Sequence, residues 1–415
     1  MVIKNKTSYE GYKKTKLGWI PEDWEVKQLK NLLKKIVGGG TPSKSQPTYW
    51  NGDIPWATVK DFTNFNSKET RDKITNIGLE NSSSKLIEAG TVIIPTRMAL
   101  GKAVCFEIDV AINQDLKALY TKPNFNSNFL LHWFYFKSEF IESLGNGSTV
   151  KGISLTDLGL IKIKLPPLQE QKAIASCLST WDDALVKLDQ LITAKQQLKK
   201  ALMQQLLSGK KRLPGFTGEW TIWTYRELFK KVSRPVDWDD DDTYDLISVR
   251  RRSGGLFHRD SLKGVEILTK KLYTAREGDF LMSKMQILHG ASGLVTREFD
   301  AMKISGSYIA VIPRNESILS MNYMSWYSQT PKFYHQTYRS SYGVHIEKMT
   351  FNYKLFEKEE VSIPSIEEQT AIAQVLKDAD KEIELLKTQR EQLQAQKKGL
   401  MQQLLTGKKR LRIDG

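Results

Sequence analysis

Two stretches of the chain carry apolar residues at alternating spacings of four and three. The first runs Ile174, Leu178, Trp181, Leu185, Leu188 and Ile192, passes through Lys195 and Lys199, and ends on Leu202 and Leu206. The second runs Ile372, Leu376, Ala379, Ile383, Leu386, Arg390, Leu393, Lys397, Leu400 and Leu404 in the same phase. A stripe of this period over several heptads predicts a coiled-coil seam on a long helix. The boundaries agree. Pro166 and Pro167 precede the first stretch, Ser365 with Glu368 fits a capping box, and Gly209 and Gly407 sit where a left-handed C-cap glycine belongs. A helix over 168–207 spans about 60 Å at 1.5 Å per residue. A single apolar stripe of that length needs a partner, and the other copy is the nearest one. Antiparallel pairing of the two is predicted, with a globular domain at each end and an approximate two-fold axis. Lys195, Lys199, Arg390 and Lys397 interrupt the seam. Such residues either fix register or let their long stems snorkel out of the groove.

The stripes belong to a larger repeat. Residues 164–213 and 362–411 align without a gap at an offset of 198, with roughly half their positions identical. Leu202-Met203-Gln204-Gln205-Leu206-Leu207 returns as Leu400-Met401-Gln402-Gln403-Leu404-Leu405. A period near half the chain is too long for a solenoid and indicates duplication of one large unit. The order is a lead-in (1–24), a globular region (25–165), a helix with its tail (166–213), a second globular region (214–363), a second helix (364–411) and a tail (412–415). Trp24 and Trp220 open matching segments that end in Lys34-Lys35 and Lys230-Lys231. The globular regions share only an outline. Short β-type runs such as 91–95 and 308–313 are separated by Gly, Asn and Ser turns, and each region holds one aromatic-rich helical stretch, 129–144 and 322–338. The predicted class is α+β: two mixed domains separated by two long helices. Strand order cannot be read from the pattern.

Composition sharpens this. A net charge of +15 over 415 residues points to a polyanionic partner, most often nucleic acid. The two cysteines, Cys105 and Cys177, lie too far apart in sequence for a disulfide framework or a cysteine zinc site. Cys177 falls on the core-facing side, opposite Val375 in the repeat, and reads as a small buried hydrophobe. The lysine-rich start lacks the apolar run of a signal peptide, and no segment approaches the length of an apolar membrane span. A cytoplasmic protein without membrane association is expected.

At this point the chain resembles a known family. The openings Leu165-Pro166-Pro167-Leu168-Gln169-Glu170-Gln171 and Ile363-Pro364-Ser365-Ile366-Glu367-Glu368-Gln369 resemble the conserved helices of type I restriction-modification specificity subunits. The Leu-Leu-Ser/Thr-Gly-Lys-Lys-Arg helix ends do so too. Gly38-Gly39-Gly40-Thr41-Pro42-Ser43, continuing to Tyr49-Trp50-Asn51-Gly52-Asp53-Ile54-Pro55-Trp56, looks like the opening of such a subunit's target recognition domain. The second domain departs from that opening and reads Val232-Ser233-Arg234-Pro235. The resemblance implies that each domain reads one half of a split double-stranded DNA target. It also implies that the paired helices space the domains and dock two methyltransferase subunits, with motor-nuclease subunits joining. S-adenosylmethionine, ATP and magnesium would belong to those partners and no cofactor to this chain.

The residues themselves offer little catalytic chemistry. There is no phosphate-loop motif, no Asn/Asp-Pro-Pro-Tyr/Phe methyltransferase motif, and no metal-ligand spacing among the five histidines. Asp23 with Glu25 and Lys27 forms a nuclease-like triplet of the sort charged amphipathic segments yield by chance. The acidic run 237–242 reads as a solvated loop before it reads as a metal site. No catalytic or metal-binding residue is therefore assigned. DNA contacts are expected from residue types that hold phosphate or read base edges. In the first domain these are Thr41, Ser43, Lys44, Arg97, Lys102, Asn146, Ser148, Thr149 and Lys151, with Gly38, Gly39 and Gly40 letting backbone approach phosphate. In the second they are Arg250, Arg251, Arg252, His258, Arg259, Lys284, Gln286, Arg339, Ser340 and Ser341. Two rival classes remain open: a self-contained methyltransferase or nuclease, active without partners, and a coiled-coil scaffold whose domains bind protein.

Overall fold

A computed structural model describes residues 10–147 and 151–411. These fall into two compact units, one made of the chain up to Asp189 together with the segment from Thr388 onward, the other of 190–387. The unit boundary cuts both long helices, Leu168–Leu206 and Ile366–Leu404, so each unit holds the start of one and the end of the other.

In the first unit a four-stranded antiparallel sheet runs in the order Leu33–Gly38, Leu116–Thr121, Val92–Pro95, Val104–Cys105. A second sheet runs Asp72–Ile74, Trp50–Ala57, Val110–Ile112, Lys85–Ile87, with the two central strands parallel. Glu25–Gln28 pairs with Lys162–Leu165 and so closes the domain on itself. The second unit repeats this strand for strand. Phe229–Val232, Tyr308–Pro313, Phe280–Ser283 and Ser292–Leu294 form one sheet, and Leu256–Lys263, Thr243–Val249, Lys303–Ser305 and Leu272–Thr274 the other, again with a parallel central pair. Thr221–Thr224 closes on Glu360–Ile363. Two sequences alike only in outline thus share one topology.

The aromatic-rich stretches each split into two helices, Ser127–Phe136 with Ser138–Ser143, and Met321–Tyr327 with Pro331–Arg339. The second break follows from Pro331, which has no N–H to continue a helix but suits its first turn, where the Thr330 side chain caps Phe333. In the first unit these elements and the start of the first long helix enclose Trp24, Phe129, Ile174, Leu178 and Leu404 in one core; in the second, Tyr225, Phe333, Ile372, Leu376 and Leu206 play that part.

Every expected seam position is buried or half-buried, from Ile174, Leu178, Trp181, Leu185, Leu188, Ile192, Leu202 and Leu206 to Ile372, Leu376, Ile383, Leu386, Leu393, Leu400 and Leu404. Pairing is antiparallel within each unit. In the first, one heptad forward from Asp182 to Asp189 matches one heptad back from Lys397 to Arg390, and both acids hold those cations in ion pairs. In the second, Lys195 and Lys199 pair with Glu382 and Asp380. All four polar seam residues therefore bind an acid on the facing helix, which favours the register role over simple snorkelling.

The ends of the helices match the expected caps in part. Gly209 and Gly407 adopt φ of +71° and +74° and close the last turn as left-handed residues. Only half of the expected capping box forms. Ser365 Oγ accepts from the Glu368 N–H at 3.4 Å, but the Glu368 carboxylate turns to Arg212 instead of the Ser365 backbone.

Candidate nucleic-acid interface

In the first domain three loops meet at one end of the two sheets. The loop after Val92–Pro95 is stitched to the segment around Gly152: Ile153 N–H donates to Thr96 O (3.0 Å), Met98 N–H to Lys151 O (3.0 Å), and Asn146 and Gly152 exchange two bonds of 2.9 Å. Arg97, Asn146 and Lys151 are brought together this way, and all three are exposed. Met98 also borders an open cleft of about 690 Å³ that takes in Thr41, Lys44, Trp50, Lys60, Asn113 and Gln114. The Thr41 hydroxyl donates to Gln114 Oε1 at 2.6 Å, while Ser43 Oγ lies 2.8 Å from Ser45 Oγ at the rim. Lys102 is exposed farther along the Arg97 loop, beyond Gly101. Ser148 and Thr149 lie outside the described residues.

The glycine reading is corrected at Gly39 and Gly40. A Cβ on Gly39 would stand 1.8 Å from Ile112 O, and one on Gly40 would stand 1.9 Å from Ser83 Oγ. These glycines serve close packing of one sheet on the other. They are not vacant backbone awaiting phosphate.

In the second domain Arg250, Arg251 and Arg252 occupy the turn between Thr243–Val249 and Leu256–Lys263. All three are exposed. Arg252 and Ser253 take left-handed φ of 58° and 54°, and the Arg252 N–H donates to His289 O. The Arg250 guanidinium lies 4.5 Å from the centre of the Phe257 ring. His258 and Arg259 are exposed on the following strand. His258 Nε2 lies 3.0 Å from Ser261 Oγ and 3.6 Å from Asp245, which ties it to its own hairpin. The half-buried Lys284 donates to Gly306 O at 2.5 Å. Arg339 is exposed beside Glu359 at 3.5 Å.

Three expected contacts do not present a free side chain here. Ser340 is 1 % exposed, because it continues the buried face that Phe333, Gln336 and Thr337 form on its helix. Ser341 Oγ is spent on Thr337 O at 2.7 Å. Gln286 keeps its Oε1 buried without a partner among the described residues. Lys60, Gln114 and Trp50 were missed by sequence reading. They are brought beside Thr41 and Lys44 only by the parallel pairing of the central strands, which no local pattern signals.

The remaining charged motifs are structural. Asp23 pairs with Arg410, and Glu25 with Lys27 across 2.5 Å, so the nuclease-like triplet does not converge. In the acidic run Asp240 accepts from Lys270 and from Trp238 Nε1, which hold its carboxyl below the usual range. Cys177 is half-buried against the first core, less enclosed than expected.

Two topologically matched α+β domains, each with an exposed basic rim and each seated on antiparallel helices, define a duplicated reader of polyanions. The model of the type I restriction modification DNA specificity domain matches residues 21–200 and again 219–395, and the chain belongs to that family. It is 32 % identical over 180 residues to the type I restriction enzyme MjaIX specificity subunit of Methanocaldococcus jannaschii, covering 42 % of this chain and 41 % of that one. Against the putative MjaX specificity subunit of the same organism it is 25 % identical over 97 % of both chains. It is 30 % identical over 184 residues to the EcoR124I/EcoR124II specificity subunit of Escherichia coli, covering 43 % of this chain and 45 % of that subunit. Among solved structures, the type I system S subunit from M. genitalium matches with a TM-score of 0.56 at 15 % identity over 98 % of each chain. At such identity it speaks to the fold alone.

Proposed function

We propose that this chain is the non-catalytic specificity subunit of a type I restriction-modification complex. Each globular domain reads one half of a bipartite double-stranded DNA target. The helical pair docks two methyltransferase subunits, which motor-nuclease subunits then join. S-adenosylmethionine, ATP and magnesium belong to those partners, and the complex works in the cytoplasm. One observation carries the reading. The fold and helix contacts of the two units repeat, whereas the loops holding Thr41, Lys44 and Arg97 in one and Arg250, Arg251 and Arg252 in the other do not. A reader of two different half-sites on a common dock conserves and varies those same parts. No helix among the described residues is long and apolar enough to cross a membrane, in keeping with this. Footprinting of the chain assembled with its methyltransferase tests it. Two protected half-sites flanking an unread gap are expected, and a single contiguous site or no sequence preference overturns it.

A further inference from the structure

The loop joining the second sheet to the first is capped by a lysine in both units, yet the lysine comes from a different strand in each. In the first unit the loop follows Val110–Ile112, and Lys117, from the next strand, donates to Gln114 O at 2.6 Å and Leu116 O at 3.1 Å. In the second the loop follows Lys303–Ser305, and Lys284, from the end of the neighbouring strand, donates to Gly306 O at 2.5 Å. The registers show that these lysines are not equivalent positions. Leu116 pairs with Pro95 as Tyr308 pairs with Ser283, so Lys117 corresponds to Ile309 and Lys284 to Thr96. The same point in the fold is made cationic twice by independent residues.

Each capping lysine has cationic neighbours and no carboxylate in ion-pair contact among the described residues. Burial lowers the pKa of both; around Lys117 the Asp115 carboxylate opposes that more than Arg97 adds to it, whereas Lys231 and Lys271 both push Lys284 further down. Lys231 and Lys284 line one small cleft with Ser233 and Gly306, about 110 Å³ in volume. Like charges gathered without a counter-anion destabilise a fold unless an anion relieves them. The cleft suits a single phosphate group.

We propose that the second of these points is an anchor for the DNA backbone, with one phosphate held by Lys284, Lys231 and Lys271. The inference rests on the DNA-reading function proposed above and adds a division of labour. The anchor holds the duplex on its domain whatever the sequence, and the exposed loops read the bases.

The test uses the full chain assembled with its methyltransferase and two duplex oligonucleotides, one carrying the mapped target and one with both half-sites scrambled. Lys231→Gln and Lys271→Gln remove exposed charges and leave the Lys284–Gly306 bond in place. Loss of the anchor phosphate should reduce the slope of log K against log salt by about 0.9, weaken both duplexes by the same factor and leave the methylated sequence unchanged. The Lys→Arg variants at the same positions should restore the slope. An unchanged slope, or a changed base preference, overturns the anchor while leaving the specificity function intact. Failure of the unaltered chain to distinguish the two duplexes overturns the function itself and the anchor with it.

Discussion

Arg410 grips Glu170 with two guanidinium nitrogens, at 3.1 and 2.7 Å, although the residues lie 240 positions apart. The carboxylate is buried and the arginine, which also holds Asp23, is half-exposed. The repeat offset maps this pair onto Arg212 and Glu368, which make the same two-point contact in the second unit. The arginines of the basic helix tails thus lock each helix end to the start of the facing helix. Arg410→Ala strands a buried acid and should destabilise the first unit by about 2 kcal/mol, below the full cost of breaking a wholly buried pair because the arginine is partly solvated. Arg212→Ala should cost the second unit a similar amount. Urea unfolding of the variants checks both; no loss in either would refute the lock.

The two matching tryptophans should respond unequally to substitution. Trp24 Nε1 donates to Glu170 Oε2 at 2.9 Å, whereas the buried Trp220 Nε1 has no partner among the described residues. Trp24→Phe removes a hydrogen bond to a charged group and should cost roughly 1.5–3 kcal/mol beyond the packing change. Trp220→Phe removes none and should cost distinctly less. Equal losses by thermal unfolding would contradict this asymmetry.

His132 makes the first unit acid-sensitive. Its ring is 1 % exposed, Nε2 meets Ser179 Oγ at 3.2 Å, and Nδ1 lies 3.7 Å from Asp182. Burial lowers its pKa to about 4; Asp182 opposes that shift and Lys397 adds to it. The unfolded chain, titrating near 6.5, binds the proton first. Stability is therefore full above pH 6.5 and falls as the pH drops toward 4, by about 3 kcal/mol at most. Urea midpoints measured from pH 7 to 4 should decline less steeply for His132→Phe than for the unaltered chain. Parallel declines would remove His132 from the account.

The helices were legible because a heptad stripe is local and long, and because glycine alone suits the left-handed C-caps at Gly209 and Gly407. Why lysines sit in the seam was not, since Lys199 and Lys397 gain meaning only opposite Asp380 and Asp182 across the antiparallel register. Strand order was hidden for the same reason: the parallel pairing of Trp50–Ala57 with Val110–Ile112 joins segments far apart in sequence. Among the candidate contacts, residue type found Lys44, Arg97 and the Arg250–252 turn on the surface. It could not foresee that Ser340 is buried, or that Gly39 and Gly40 are filled by Ile112 and Ser83.

The central claim is that each domain independently reads half of one target. Single-molecule methylation mapping of host DNA tests it most directly, comparing the native chain with one whose residues 25–165 are exchanged for another recognition domain of the family. The account predicts that one half-site changes while the other half-site and the gap persist. A change in both halves, or a single unbroken site in either map, would contradict it.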